Sequence, residues 1–362
     1  MKPIINKEMV AAATDALSNE RFVLGESVSK FEDEFARYIG TEYAVSVSSG
    51  TNALAFSMLA LGVKDKEVIT TSASFIATSN SILHAGASPV FADIDLKTYT
   101  LNPKEVEKNV SRKTKVILPV HLYGYPADME EILRIADKYN LSILEDACQS
   151  HGAVYKDRMT GNLGAAAAFS FYSSKNMTVC GDGGMITTND PKIAEITRSL
   201  RDSGRSKEER YLHERIGYTA RMNNVNAAIG RVQLRYLEEW NEKRRKVARD
   251  YNKRLDGIGD LILPPKEDKE IKPVWHLYVI RTKRRNLLKK YLEENQIECG
   301  VHYPIPIHMQ PPYIQMGFKE GMFPNTELWA REVLSIPLHP NLMKEEMECI
   351  VDKIDDFFRG VR

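Results

Sequence analysis

Hydrophobic and polar positions follow two alternating rhythms through the first two thirds of the chain. Short apolar runs predict strands at "YAVSVSS" (43–49), "EVITTSASF" (67–75), "SPVFADID" (88–95), "KVILPVHLYG" (115–124), "LSILEDA" (141–147), "AAAAFSFYS" (165–173) and "GGMITTND" (183–190). Between them the apolar spacing lengthens to three or four. "TNALAFSMLALGV" places Leu54, Met58 and Leu61 on one side of a helix, and "IATSNSILHAG" (76–86) reads as another. "DMEEILRIADKYN" carries Ile132, Ile135, Ala136 and Tyr139 as one apolar stripe. Repeated strand–helix–strand order predicts an α/β three-layer sandwich, a mostly parallel mixed sheet covered by helices on both faces. In such sheets ligands sit beyond the carboxyl ends of strands, so the polar residues there carry the weight.

From about Arg231 the texture changes. "RVQLRYLEEWNEKRRKVARDYNKRL" is one long charged helical pattern with Val247, Tyr251 and Leu255 along one side, its charges most simply a solvated face. "WHLYVIRT", the helical "NLLKKYLEENQ" and a C-terminal helix then predict a smaller α+β unit. A chain of 362 residues is long enough for two domains. The expected division is a large α/β domain at 1–240 and a small α+β domain at 241–362.

Composition narrows the function classes. Fifty basic and forty-nine acidic residues leave a net charge of +1, which creates no general field for nucleic acid or a membrane surface. Cys148, Cys180, Cys299 and Cys349 are far apart in sequence and form neither a zinc-type cluster nor a disulfide framework, so no metal is expected and a reducing cytoplasm fits. The first residues lack the apolar core of a secretory signal. Ala44–Val63 is uncharged but interrupted by Ser46, Ser48, Ser49, Gly50, Thr51 and Asn52, which predicts strand, turn and helix rather than a membrane span.

Three stretches carry chemistry. "SVSSGTNAL" sets Gly50 at a strand end and Thr51 at a helix start, where free N–H groups attract an anion; a simple cap by Ser49 or Thr51 explains the same residues. "LSILEDACQSHG" ends a buried strand in Glu145 and Asp146, either an ion pair or a carboxylate aimed at a protonated ring nitrogen. "SFYSSKNMTVCGDGGM" delivers Lys175 onto a turn beside Gly181, Gly183 and Gly184. A lysine is usually a solvated surface charge, but it forms a Schiff base where its surroundings lower its pKa. Anion turn, strand-end carboxylate and lysine in that order are what pyridoxal 5′-phosphate (PLP) asks of a protein.

"SSGTNAL", "ILEDACQSHGA", "FSFYSSKNMTVCGDGGMITTND", "GYTARMNNVNAAIGRVQL" and "HYPIPIHMQPPY" resemble, in order, the blocks of the DegT/DnrJ/EryC1/StrS family of sugar aminotransferases, within the fold type I (aspartate aminotransferase) superfamily. The resemblance implies that Lys175 holds PLP covalently and that Asp146 pairs with its ring nitrogen. It implies Gln149 near the ring's O3′, Phe75 stacked on the ring, and Gly50, Thr51 and Ser170 at the phosphate. It also implies transfer of an amino group from an amino acid, L-glutamate by analogy, to a 3-keto or 4-keto nucleotide-linked sugar, in amino-sugar and polysaccharide biosynthesis.

A homodimer with shared active sites follows from the same resemblance, with "GYTARMNN" as the donated segment. Thr219 stands there where the family has Asn; Asn223, Asn224 and Asn226 are possible substitutes. Arg221, His302, Tyr303 and His308 are substrate candidates, each His weighed equally against a packed imidazole. A histidine in place of the lysine accompanies sugar dehydration in one relative, so Lys175 favours transamination over a dehydratase; a non-catalytic regulator is the other competing reading.

Overall fold

A computed structural model of the chain describes residues 4–360. Its centre is a seven-stranded sheet of β1 (Tyr43–Val47), β2 (Glu67–Thr70), β3 (Ser88–Phe91), β4 (Thr114–Ile117), β5 (Ser142–Asp146), β6 (Ala166–Ser170) and β7 (Gly184–Thr188). The order across the sheet is β1-β7-β6-β5-β4-β2-β3. Strands β2 to β6 pair in parallel, and β7 runs antiparallel to both β6 and β1.

The period of two sorts side chains onto two faces. In β6, Ala166 and Ala168 join the cluster of Leu54, Phe56 and Met58, while Ala167 and Phe169 join that of Phe31 and Phe35. In β5, Leu144 faces the first cluster and Ile143 packs with Ile132 and Ile135 on the other side. Helices Gly50–Ala60 and Pro191–Arg201 cover one face, and helices Glu26–Ile39 and Met129–Tyr139 the other. This is the three-layer architecture expected from the pattern.

Several strands are shorter than their apolar runs. β2 stops at Thr70, because the following segment turns inward on itself: Ala73 N–H donates to Thr71 Oγ1, and Ser74 and Thr78 share a hydroxyl bond. β3 stops at Phe91, after which Asp93 accepts from the backbone of Asn325 and Thr326. Tyr139, expected in the apolar stripe, is exposed at the last turn of its helix.

Helix Asn224–Arg254 is continuous through 31 residues. Its first half contributes Ala227 and Leu237 to the sheet-side cluster, its second half Ala248 and Tyr251 to a separate C-terminal cluster. That second cluster is built on the antiparallel pair Tyr278–Arg281 and Val333–Ile336 with helices Arg285–Glu294 and Lys344–Arg359. The division expected at 240/241 falls inside the long helix, and we propose that helix as the element the two units share. Its charged side is not simply a solvated face. Arg244 and Arg245 are buried, Arg244 donating to the carbonyls of Trp275 and Leu338, and Arg245 pairing with Glu238 and Glu242. Local periodicity cannot foresee the acceptors of Arg244, which arrive from residues 31 and 94 positions away, whereas the two carboxylates paired with Arg245 lie on its own helix.

His151 is fully buried between Phe169 and Phe171. Burial, then the nearby Lys175 charge, lowers its pKa from 6.5 to about 3. The unfolded chain therefore binds this proton at a higher pH than the folded one. Below pH 6.5 the unfolded state gains a proton the folded state refuses, so stability falls as pH drops towards 3. This group alone accounts for up to about 1.4 kcal/mol per pH unit in that window. His151→Leu is expected to flatten the acid side of a stability-versus-pH curve by one proton, measured by denaturant midpoints.

Candidate active site

A cavity of about 1710 Å³ opens at the carboxyl ends of the central strands. Nine sequence candidates line it: Gly50, Thr51, Phe75, Asp146, Gln149, Ser170, Lys175, His302 and Tyr303. Two do not. Arg221 lies outside it and forms an ion pair with Asp202 at 3.0 Å. His308 is fully buried elsewhere, Nδ1 against Ser72 Oγ and Nε2 against Glu327 Oε1, both at 3.1 Å. Both of its nitrogens are committed to the protein, so within this chain it is a packed imidazole rather than a cavity group.

The anion turn combines its two readings. Ser49 caps helix Gly50–Ala60, its Oγ accepting from Asn52 N–H at 3.2 Å. The helix start at Gly50 and Thr51 meanwhile faces the cavity, where the positive end of the helix dipole favours an anion. A Cβ on Gly50 would lie 2.7 Å from Ser170 Cβ, so only glycine lets the turn approach β6 this closely. Gly184 is the counterpart from the glycine-rich patch: a Cβ there would sit 2.4 Å from Ser49 O. Gly184→Ala is expected to push this turn away from β7. The outcome is a loss of about 1–3 kcal/mol in stability, together with weaker phosphate binding, measured by unfolding and by inorganic phosphate titration.

The two carboxylates at the end of β5 have different destinations. Glu145 is fully buried and its oxygens accept from Gly161, Leu163 and Gly164 N–H at 2.7–2.9 Å, with His121 Nε2 at 3.0 Å. His121 Nδ1 accepts from Ala127 N–H, so in the neutral ring the proton sits on Nε2 and points to Glu145. Glu145 is thus a structural tether. Asp146 faces the cavity, Oδ2 accepting from Thr78 Oγ1 at 2.7 Å and Oδ1 from Cys148 N–H at 3.2 Å. Those donors hold its oxygens in place for a cationic partner in the cavity.

Lys175 follows β6 on a short turn, its N–H donating to Tyr172 O at 2.9 Å. Burial lowers the pKa of its ammonium, against the opposing influence of Cys148 and Asp146. A lowered value raises the share of free amine, the nucleophilic and basic form. Gln149 Oε1 accepts from Tyr123 N–H at 2.8 Å, which leaves its NH₂ as the group available to donate. Phe75 is half exposed, with its ring 5.8 Å from that of Tyr303. His302 Nδ1 contacts Ser335 Oγ at 2.9 Å, and burial followed by the Lys175 charge lowers its pKa.

Sequence reasoning missed Thr78, Cys148 and His276, all of which line the cavity. Thr78 and Cys148 lay inside quoted motifs without a signal of their own. His276 sat in an apolar strand pattern. Among the described residues no group of three or more His, Cys, Asp or Glu is arranged to hold a metal, and no helix is long and apolar enough to cross a membrane.

Comparison with known proteins agrees with this fold. The DegT/DnrJ/EryC1/StrS aminotransferase family matches residues 3–355. A Geobacillus stearothermophilus protein named "Pleiotropic regulatory protein" is 41% identical over 98% of this chain and 95% of its own. The dTDP-3-amino-3,4,6-trideoxy-alpha-D-glucose transaminase of Streptomyces venezuelae is 39% identical over 99% of this chain and 94% of its own. The crystal structure of S. venezuelae DesV in complex with a ketimine intermediate superposes with a TM-score of 0.95 at 39% identity, covering 98% of this chain and 95% of that one. A fold type I sheet, a lysine, a carboxylate and an anion turn around one cavity, and a family match over nearly the whole length lead to one conclusion: the chain belongs to the DegT/DnrJ/EryC1/StrS aminotransferase family.

Proposed function

We propose that this protein is a PLP-dependent aminotransferase that moves an amino group from an amino acid, L-glutamate being the expected donor, to a nucleotide-linked keto sugar. The observation that carries the reading is the convergence of Lys175, Asp146 and the Gly50–Thr51 helix start on one cavity, from three separate stretches of sequence. The names of two relatives, a dTDP-amino-sugar transaminase and a UDP-2-acetamido-2-deoxy-3-oxo-D-glucuronate aminotransferase, support the sugar class.

The residues present fit the cofactor. When bound, PLP supplies an aldehyde that condenses with amines and a ring that draws negative charge away from the donor α-carbon. Gly50, Thr51 and Ser170 hold its phosphate in this proposal, and Asp146 holds the proton of its ring nitrogen. Gln149 donates from its NH₂, and Phe75 and Tyr303 form the aromatic wall. Lys175 would be the covalent anchor, and its displaced amine the base that takes and holds the proton of the donor α-carbon. His302 and Tyr303 line the path by which a sugar reaches that amine.

We also propose a cytoplasmic homodimer whose sites are shared between subunits. Tyr211 and Ile216 are more than four-fifths exposed, beside the 217–224 segment whose Arg221 points away from its own cavity. A regulatory role, the sense of the G. stearothermophilus relative's name, needs no such convergence. The test is visible absorption of the PLP-loaded protein before and after L-glutamate. A band that glutamate bleaches supports transamination, and nucleotide keto sugars that restore it identify the acceptor. A protein that binds no PLP refutes the reading.

A further inference from the structure

Asn176, immediately after Lys175, is buried, and its neighbours fix which way its amide faces. Asn241 Nδ2 donates to the backbone carbonyl of His151 at 2.8 Å, so Asn241 presents its oxygen to Asn176. Asn176 Nδ2 donates to that oxygen at 3.0 Å and to the carbonyl of Val274 at 2.8 Å. Asn176 Oδ1 is therefore the atom that meets His276 Nδ1, at 3.3 Å. A carbonyl oxygen only accepts, so Nδ1 carries the imidazole proton and Nε2 carries a lone pair.

The placement of His276 makes that lone pair useful. Its backbone N–H donates to Tyr123 O, and Tyr123 N–H donates to Gln149, so the ring is tied to the floor of the site from a second direction. With Nδ1 turned to Asn176, His276 lines the cavity that Lys175 also lines. The imidazole stays neutral: burial, then the charge of Lys175, followed by Arg244, His151 and His302, holds its pKa well below the usual range.

We propose that His276 is a positioning residue for Lys175, presenting Nε2 as a hydrogen-bond acceptor to the lysine amine and aiming it while it carries a proton. The inference rests on the reading of Lys175 as proton carrier. No proton is transferred to the ring. By analogy with partners that orient metal ligands, loss of such a contact changes activity by about 10–100-fold.

The test separates the two edges of the ring. His276→Asn keeps a donor to Asn176 Oδ1 and removes the cavity-side acceptor; His276→Phe removes both. In single-turnover reaction of the PLP-loaded protein with L-glutamate, both variants are expected to be slower by about 10–100-fold with the glutamate KM unchanged. A wild-type rate in His276→Asn would make the ring purely structural and overturn the proposal. Nitrogen NMR of histidine in the PLP-free full chain gives an independent readout, with His276 assigned by its loss in His276→Asn. Nε2 is expected to be unprotonated and to shift in Lys175→Ala. A protonated Nε2, or one indifferent to Lys175→Ala, overturns the proposal. Because this arm needs no turnover, a protein inert towards glutamate would refute the proposed function while the NMR still decides the contact.

Discussion

Lys175→Ala is expected to abolish transamination, with a loss of at least about 10⁴-fold, while the fold survives. The substitution removes the proposed covalent anchor and the proposed proton carrier together, and proton transfer by a positioned side chain alone is worth roughly 10²–10⁴-fold. The side chain ends in a cavity and is not a core filler, so the unfolding midpoint should move little. Two measurements decide the matter: the visible spectrum with PLP, which should lack the band of a covalently held cofactor, and the rate of the glutamate reaction. A variant that keeps both the band and the rate would place the anchor on another lysine.

The second large effect falls on Glu145, the carboxylate beside the one proposed to meet the cofactor. Glu145→Ala is expected to cost about 3–5 kcal/mol of stability, because two buried backbone N–H groups, a half-buried third and the His121 ring lose their acceptor at once. Asp146→Asn should do the reverse. It preserves volume and an acceptor for Thr78, so the midpoint stays close to wild type, while activity falls on the order of 10²–10³-fold, as when a preorganised electrostatic partner is removed. Denaturant unfolding and steady-state kinetics on both variants check the pair. If Asp146→Asn unfolded the protein and Glu145→Ala did not, the two roles would have to be exchanged.

Much of this was legible along the chain. Alternation between periods of two and about three and a half outlined the sheet and its covering helices, because both periods follow from local backbone geometry. Glycine at positions 50 and 184 marked close backbone approach, and Asp146 at a strand end with Lys175 on the turn after another strand marked the ligand edge of the sheet. Strand lengths were overestimated where hydroxyl-rich segments such as Thr71–Ser74 bond to themselves instead of to a neighbouring strand.

What the sequence by itself determined is the layered α/β order and the candidates Lys175, Asp146, Gly50 and Thr51, which the fold brings to one cavity. What only the tertiary structure decided is where side chains of similar local appearance end up. Glu145 and Asp146 are neighbours on one strand, yet the pleat sends one to a loop at 161–164 and the other to the cavity. His302 and His308 share one motif, but Ser72 and Glu327 claim the second before it can reach the site. His276 gains its tautomer from Asn176, one hundred positions away in the chain. Periodicity and turn chemistry act over a few residues; hydrogen-bond partners, burial and the charges they govern are set by chain segments that meet only when the sheet has formed.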